Sequence, residues 1–259
     1  VGGGGLAVVA RTRLDGRGAD ALREISIETR VQRFPEGSVI YRSGNTRVLI
    51  AASVDEGVQD FLKNSGKGWV TAEYAMHPRA NPQRQRREGQ RGSVSGRTQE
   101  IQRLIGRALR AAIRPEKLGE RTITIDCDVL DADGGTRTAA ITGGFIALVM
   151  ALDSLRKRGL CGKGVLREEV AAVSIGLFEG SPLLDLCYEE DRDAQVDLNL
   201  VATASGNIVE VQGTAEGAPM TRAEHDALLA FGLSGVTRLI EAQKGAIDRL
   251  GIDLSRLLA

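Results

Sequence analysis

Residues 131–144 have the sequence DADGGTRTAAITGG and join a predicted strand to a predicted helix. Before this segment, apolar and polar residues alternate through residues 122–130, which is the period of a half-buried strand. After it, residues 145–159 have the apolar density, the basic last turn and the terminal glycine of a helix. The chain therefore passes from a strand through two glycines into a helix, with Thr136 and Arg137 near the helix start.

This junction has the properties of an anion-binding site. The first N–H groups of a helix have no partner within the helix, and the helix dipole places positive charge at the same end. An arginine at that position can add a bidentate grip on a phosphate group. A glycine pair beside an arginine is, on its own, more often a tight turn with an exposed side chain. The interpretation therefore depends on the rest of the chain.

The composition indicates a globular protein of ordinary type. The chain has 259 residues, enough for one large hydrophobic core or two small ones, with 42% hydrophobic residues and a mean hydropathy of −0.12. Cys127, Cys161 and Cys187 are odd in number, lack the spacing of a metal site and indicate buried thiols in a reducing compartment. The apolar residues 6–10 are too few for a signal or membrane segment. We therefore expect a cytoplasmic protein that makes no membrane contact.

The net charge is zero, but the charges are distributed unevenly. Residues 77–114 contain ten arginines and two glutamates, which gives this segment a charge of +8 and leaves −8 on the remainder. Such asymmetry is typical of proteins that bind a polyanion, although a solvated arginine-rich loop is a common alternative.

Three hairpins and two further helices are predicted outside the glycine junction. Apolar residues at helical spacing indicate a helix from Thr98, and the capping-box pair Thr221 and Glu224 begins a final helix. Four arginines form a stripe beside the apolar face of the first of these helices, and we expect them to pair with acidic residues of a neighbouring subunit: Arg103, Arg107, Arg110 and Arg114. The hairpins pair residues 39–42 with 48–53, 170–178 with 183–188, and 196–203 with 207–212.

Seven segments together are far more specific than any one of them. They are residues 14–23, 36–49, 61–76, 95–111, 131–144, 188–201 and 209–217. In this order and spacing they resemble ribonuclease PH, the phosphate-dependent 3′-exoribonuclease that trims transfer-RNA precursors. The resemblance begins near Arg13, so we expect residues 1–12 to be a disordered extension and 13–259 a single domain.

The resemblance implies a fold as well as an activity. The family's fold is α/β (α+β), with two βαβ-type halves and mixed sheets packed with helices. It includes left-handed crossovers, which are an exception to the right-handed rule for such connections. General principles alone would therefore predict the wrong handedness.

The resemblance also implies two groups of catalytic importance. The residues Arg97, Gly135, Thr136 and Arg137 match the family's phosphate-binding positions. Asp191 and Asp197 match its catalytic aspartates and would bind Mg²⁺, which prefers hard oxygen ligands. Four neighbouring acids are weaker candidates: Asp185, Glu189, Glu190 and Asp193.

A third group of residues would bind RNA. Arg79, Arg84 and Arg87 match arginines of the family's basic loop, and Arg91 falls where lysine or arginine is usual. Phosphate contacts of this kind determine affinity and salt dependence but do not read sequence. The chain departs from the family pattern at three positions, which bear on RNA preference rather than on the chemistry: His77, Pro82 and Ser93.

The sequence thus predicts phosphorolytic 3′-to-5′ trimming of tRNA precursors and other RNA 3′ ends. Inorganic phosphate would be the co-substrate, Mg²⁺ the cofactor, and a homohexamer, a trimer of dimers, the assembly. The alternative is an inactive RNA-binding ring subunit of an exosome-like assembly, although such relatives tend to lose residues that this chain keeps. A metal-dependent glycosyltransferase, suggested by Asp126 and Asp128, has no further support in the sequence.

Overall fold

The computed structural model describes Arg13 and residues 15–258 as a mixed α/β fold with two sheets. The predicted extension at residues 1–12 lies outside the described residues. The strands are β1 (Ile25–Thr29), β2 (Gly37–Ser43), β3 (Thr46–Glu56), β4 (Trp69–Met76), β5 (Arg121–Asp131), β6 (Val170–Phe178), β7 (Ser181–Leu184), β8 (Val196–Thr203) and β9 (Ile208–Ala215). The α-helices are α1 (Gly96–Ala111), α2 (Pro115–Leu118), α3 (Thr136–Lys157), α4 (Tyr188–Asp193) and α5 (Arg222–Arg249).

The first sheet has five strands in the order β1-β2-β3-β5-β4. Its strands pair antiparallel except for β4 and β5, which pair parallel. A parallel neighbour requires a crossover connection, and α1 supplies it, packed against β4. The segment from β4 through α1 to β5 is therefore a βαβ unit. The chain enters α1 from the carboxyl end of β4, which lies beside the carboxyl end of β5.

The second sheet has four antiparallel strands in the order β7-β6-β8-β9. Every residue of β6 is buried, because α3 and α5 both pack against this strand. A strand covered in this way is apolar along its length rather than alternating. The second sheet presents β9 next to α1, which brings distant parts of the chain together at the site described below.

Helix α3 lies between the two sheets and packs against β2, β3, β5 and β6. Between Thr138 and Leu155 almost all of its residues are buried, as expected for the central helix of a core, and its charged side chains lie near its two ends. Gly143 permits the close approach to the first sheet, since a Cβ atom there would lie 2.4 Å from Ile50 Cδ1. By length and composition, α3 could also cross a membrane, but 94% of its most apolar window is buried inside the fold.

The structure confirms most of the predicted elements. The predicted strand at 122–130 is β5, Thr136 and Arg137 form the first turn of α3, and the capping box of Thr221 and Glu224 begins α5. The prediction of a strand through residues 183–188 is wrong. The strand β7 ends at Leu184 because Asp185 adopts a φ of +55° and turns its carboxylate inward.

The prediction about the arginine stripe of α1 is also corrected. Arg107 pairs with Glu210 on β9 (Nη2–Oε1 2.6 Å), and Arg110 and Arg114 donate to backbone carbonyl groups. Three of the four arginines therefore have hydrogen-bond partners within the chain. Arg103 and Arg107 are both exposed. The partners come from elements that fold against α1, which the spacing of the arginines does not reveal.

Candidate phosphate and RNA site

The turn between β5 and α3 is built for close approach to an anion. Gly134 and Gly135 have φ angles of +72° and +62°, values that favour glycine. Gly135 is the N-cap of α3, and no side chain caps this helix start. The first N–H groups of α3 are therefore free to bind a negatively charged ligand.

Three predicted phosphate residues, Gly135, Thr136 and Arg137, lie at the start of α3, and the fourth, Arg97, lies at the start of α1. Thr136 accepts a hydrogen bond from the hydroxyl of Tyr74 on β4 (2.8 Å), which fixes the first residue of α3 against the first sheet. Arg97 is the second residue of α1 and is exposed, and its positive charge acts on Tyr74. Tyr74 therefore lies between the two helix starts and links them.

Asp191 and Asp197 face each other. Asp191 lies on α4 and Asp197 on β8, and their carboxylates are within hydrogen-bonding reach of each other. The positive charges of Arg137 and Arg97 act to lower the pKa values of both carboxyl groups. The structure thus brings four of the predicted site residues together from four different elements.

The surroundings of the two carboxyl groups raise the pKa of each, which disfavours two negative charges at this place. Burial, and then the charge of Asp191, raise the pKa of Asp197 to about 6, although Arg137 acts in the opposite direction. Burial also raises the pKa of Asp191. Asp197 Oδ1 is buried, and the described part of the chain offers it no hydrogen-bond partner. A proton or a cation shared between the two carboxylates would relieve this repulsion.

The pair fits Mg²⁺, on the evidence of that unpartnered oxygen and the purely carboxylate donor set. Among the described residues, no group of three or more acidic, histidine or cysteine side chains could hold a metal ion. Two carboxylates are nevertheless enough for Mg²⁺, which keeps several waters and takes further ligands from substrate phosphates. Asp191 and Asp197 are therefore the residues that would hold it.

A hydrogen-bond network that the sequence did not reveal orients Arg137. Its Nη1 donates to Gln212 Oε1 on β9 (3.1 Å) and lies 3.7 Å from Glu100 Oε2 on α1. Gln212 also donates to Glu100 (2.9 Å) and to Glu210 (3.1 Å). Glu210 and Gln212 are two residues apart on a strand, and this period-two spacing was the available signal that they share a face.

The weaker acidic candidates have other roles. Asp185 pairs with Arg23 (2.7 Å) and Glu190 with Arg13 (Nε–Oε1 2.8 Å), and all four side chains are buried. These are structural ion pairs: Arg23 is joined to Asp185, which precedes α4, and Arg13 to Glu190 within α4. Two other acids of α4, Glu189 and Asp193, are exposed, and Asp193 pairs with the adjacent Arg192.

The predicted RNA-binding arginines lie on the basic loop, which we define as residues 77–95 between β4 and α1. Arg79, Arg84 and Arg87 are exposed, and none has an ion-pair partner in the described part of the chain. The side chain of Arg91 lies outside what the structure describes. The loop returns to α1 through Glu88, which accepts hydrogen bonds from the side chains of two residues near Arg97: Ser95 and Thr98.

Two sequence families match the chain. Domain 1 of the 3′ exoribonuclease family (RNase_PH) matches residues 21–152, and domain 2 (RNase_PH_C) matches residues 168–235. Solved structures of similar fold include Rrp46 of rice (Oryza sativa), which is 19% identical with a TM-score of 0.73 over 91% of this chain and 100% of that one.

Two exosome structures are similar to the same degree. The Archaeoglobus fulgidus exosome with RNA bound to the active site is 22% identical, with a TM-score of 0.75 over 89% of this chain and 92% of that one. An archaeal exosome core is 20% identical, with a TM-score of 0.70 over 90% and 91%. At these identities the likeness is one of fold.

Proposed function

This chain belongs to the 3′ exoribonuclease family of ribonuclease PH, and we propose that it shortens RNA from the 3′ end by phosphorolysis. One observation carries the proposal. Two arginines and two aspartates from four elements converge beside the uncapped start of α3. Phosphoryl transfer requires mainly positioning and charge stabilisation, and this group supplies both.

The proposed reaction uses inorganic phosphate as the nucleophile. Arg97, Arg137 and the first N–H groups of α3 hold the phosphate. One of its oxygens attacks the phosphorus of the last phosphodiester, and the bond from that phosphorus to the 3′ oxygen of the preceding nucleotide breaks. The 3′ oxygen takes up a proton and leaves as a hydroxyl. The products are a nucleoside diphosphate and RNA shorter by one nucleotide.

Asp191 and Asp197 would hold Mg²⁺, which would supply positive charge near the scissile phosphodiester. Arg137 is kept in place by Gln212 and Glu100, so its guanidinium group is oriented before the substrate arrives. Orientation before binding avoids an entropic cost during the reaction. Burial around Asp197 strengthens each of these charge interactions.

We propose tRNA precursors, among other RNA 3′ ends, as substrates. Three of the exposed arginines of the basic loop, Arg79, Arg84 and Arg87, support a track for the RNA backbone that leads to Arg97. One structure of similar fold has RNA bound to its active site. A ring would place several basic loops around one RNA, so that weak phosphate contacts act together.

We therefore propose a homohexamer, a trimer of dimers, with a mass of six times 27.6 kDa. Sedimentation equilibrium tests this assembly. A monomer with full activity on tRNA would contradict the proposed assembly but not the proposed chemistry.

An inactive RNA-binding ring subunit is the second candidate, because the similar folds are exosome structures. An inactive subunit does not require a phosphate cradle, by which we mean the turn between β5 and α3 together with Arg97 and Arg137. Nor does it require two neighbouring carboxyl groups with raised pKa values. The presence of Arg97, Arg137, Asp191 and Asp197 in one place therefore favours an enzyme.

The deciding experiment detects nucleotides released from 3′-extended tRNA, with and without inorganic phosphate, in the presence of Mg²⁺. We expect nucleoside diphosphates only when phosphate is added. Nucleoside monophosphates in phosphate-free buffer would indicate hydrolysis and contradict the assignment of the phosphate cradle. No release under either condition, together with tRNA binding, would favour the inactive subunit.

A further inference from the structure

The turn that forms the phosphate cradle also docks against α4. Gly134 lies so close to the segment before α4 that a Cβ atom there would be 2.6 Å from Leu186 O and 2.8 Å from Cys187 C. These are backbone atoms, which cannot move aside as a flexible side chain can. The cradle and the start of the helix that carries Asp191 are therefore in direct contact.

Asp133, the residue before this glycine, holds the contact together. Its Oδ1 accepts a hydrogen bond from the backbone N–H of Tyr188, the first residue of α4 (3.0 Å). Its Oδ2 accepts from the side chain of Asn45 (3.1 Å), and its own N–H donates to Thr46 Oγ1 (3.0 Å). Its carbonyl oxygen accepts from Arg23.

The position of α4 depends on few other contacts. The helix is one and a half turns long, too short to be stable alone. Its second anchor is Glu190, which pairs with Arg13 and accepts from the N–H of Cys187 (3.1 Å). Asp133 differs from Glu190 in where it lies. The backbone of Asp133 is part of the turn before α3, while its carboxylate binds the first N–H group of α4.

We propose that Asp133 is a positioning residue that sets the distance between Asp191 and the phosphate cradle. This inference rests on the proposed function. The carboxylate of Asp133 accepts from Asn45 through one oxygen and from Tyr188 N–H through the other, so it is directed at the fold. It acts by fixing α4, and with it Asp191, against the turn that binds phosphate. Asp133 therefore connects the turn that would bind phosphate to Asp191, which would hold Mg²⁺.

The first test separates turnover from binding. Asp133→Ala should lower kcat for phosphorolysis by about 10- to 100-fold, because a misplacement of about 1 Å has that effect on an aligned reaction. The KM for phosphate should change by less than about threefold, because Arg97, Arg137 and the α3 N–H groups remain. A raised KM at unchanged kcat would overturn the proposal.

Two matched variants identify the cause. Asp133→Asn keeps an oxygen that can accept from Tyr188 N–H, and its kcat should stay within about threefold of the wild type. Asn45→Ala removes the other partner of the same carboxylate and should also leave kcat nearly unchanged. If Asp133→Asn is as impaired as Asp133→Ala, the negative charge rather than the hydrogen bond matters, and the positioning role is refuted.

A second test needs no activity. Hydrogen–deuterium exchange followed by mass spectrometry should show faster exchange in Tyr188–Asp193 for Asp133→Ala, with α3 and β8 unchanged, and no such change for Asn45→Ala. Unchanged exchange in α4 would refute the proposal. If the wild type shows no phosphorolysis, the proposed function fails, and the exchange result still decides whether Asp133 holds α4.

Discussion

At the scale of single residues, the fold gives different roles to acids that look alike in the sequence. Asp185 and Glu190 are buried beside arginines, and although burial opposes their ionisation, Arg23 and Arg13 respectively hold their pKa values below the ordinary range. Asp191 and Asp197 lack such close partners, and burial raises their pKa values. The first two acids stabilise the fold, and the second two are available for chemistry.

Asp197→Asn should remove most turnover without harming the fold. We expect kcat to fall by about 100-fold or more, as when other charge-stabilising groups are removed from active sites. A raised pKa means that the fold disfavours the ionised carboxyl, so at pH 7 and without Mg²⁺ the neutral variant should be at least as stable as the wild type. Thermal unfolding and single-turnover assays measure the two effects. An equal loss of stability and activity would indicate a structural acid instead.

Asp185→Asn should have the opposite character. Removal of one partner from the buried pair with Arg23 should cost roughly 3–5 kcal/mol of unfolding free energy at pH 7. Because the pKa of Asp185 is lowered by folding, its contribution is present above its unfolded pKa of about 4 and is lost as the pH falls through the folded value. Urea unfolding should therefore show a smaller difference between variant and wild type at low pH than at pH 7.

The control for this variant is Asp60→Asn. Asp60 pairs with Lys63 at the surface, and the Asp60 side chain is 94% exposed. Its loss should leave the unfolding free energy nearly unchanged at either pH, because exposed ion pairs contribute little. A cost at pH 7 similar to that of Asp185→Asn would contradict the importance of burial.

At the scale of elements, the site depends on how closely the β5–α3 turn, α4 and β9 approach one another. Helix α3 brings the cradle from the first sheet, while α4 and β8 bring the two aspartates from the second half of the chain. Strand β9 then contributes Gln212, which orients Arg137. The site lies where these elements meet, and each contact depends on short side chains or glycines at the junction.

Gly134→Ala should lower the free energy of unfolding by more than the cost of placing an alanine in a left-handed backbone conformation. A left-handed conformation costs an alanine about 1–2 kcal/mol, and the added methyl group would also meet Leu186 O at 2.6 Å. The control is Gly206→Ala, where φ is +81° and, apart from the glycine and its two chain neighbours, no described residue has an atom within 4 Å of the added carbon. Urea unfolding should show that Gly134→Ala costs more than Gly206→Ala. Equal costs would mean that the turn and the segment before α4 separate easily.

At the scale of the whole molecule, a neutral chain presents a concentrated positive surface. Part of the +8 charge between residues 77 and 114 is engaged within the fold, since Arg107 forms an ion pair with Glu210 and the guanidinium groups of Arg110 and Arg114 donate to backbone carbonyl groups. The arginines that remain free among the described residues include those of the basic loop. The exposed arginines of the basic loop and Arg97, which follows that loop at the start of α1, therefore present positive charge to solvent.

Replacing the three predicted RNA-binding arginines whose side chains are described with alanine should weaken tRNA binding and flatten its dependence on salt. If all three contact phosphates, the slope of log affinity against log salt should fall by about two to three units. Phosphate affinity should hardly change, because Arg97 and Arg137 lie outside the substitution. Fluorescence anisotropy of labelled tRNA across a salt series measures the slope. The variant is the triple substitution of Arg79, Arg84 and Arg87.

A matched control removes the same charge elsewhere. The variant replaces three exposed arginines on α5 and in the C-terminal segment: Arg222, Arg249 and Arg256. It should leave the salt slope close to that of the wild type. Equal flattening by both triple variants would mean that net charge, and not the basic loop, determines RNA binding.

Local patterns in the sequence determined the elements and the location of the cradle. The strand period before residue 131, the two glycines and the apolar helix after them act through the backbone within a few residues, so they can be interpreted without the fold. The same holds for the capping box of α5. The order of the seven segments indicated the family, which the family matches confirm.

Only the tertiary structure decided which charged groups are neutralised and which are left for function. Arg13 meets Glu190 from 177 residues away, and Arg137 meets Gln212 from 75 residues away. The strand predicted through Asp185 failed for the same reason, since a buried partner distant in sequence turned this residue inward. Burial and the distance to an opposite charge determine how a carboxyl ionises, and both quantities arise only when remote segments pack together.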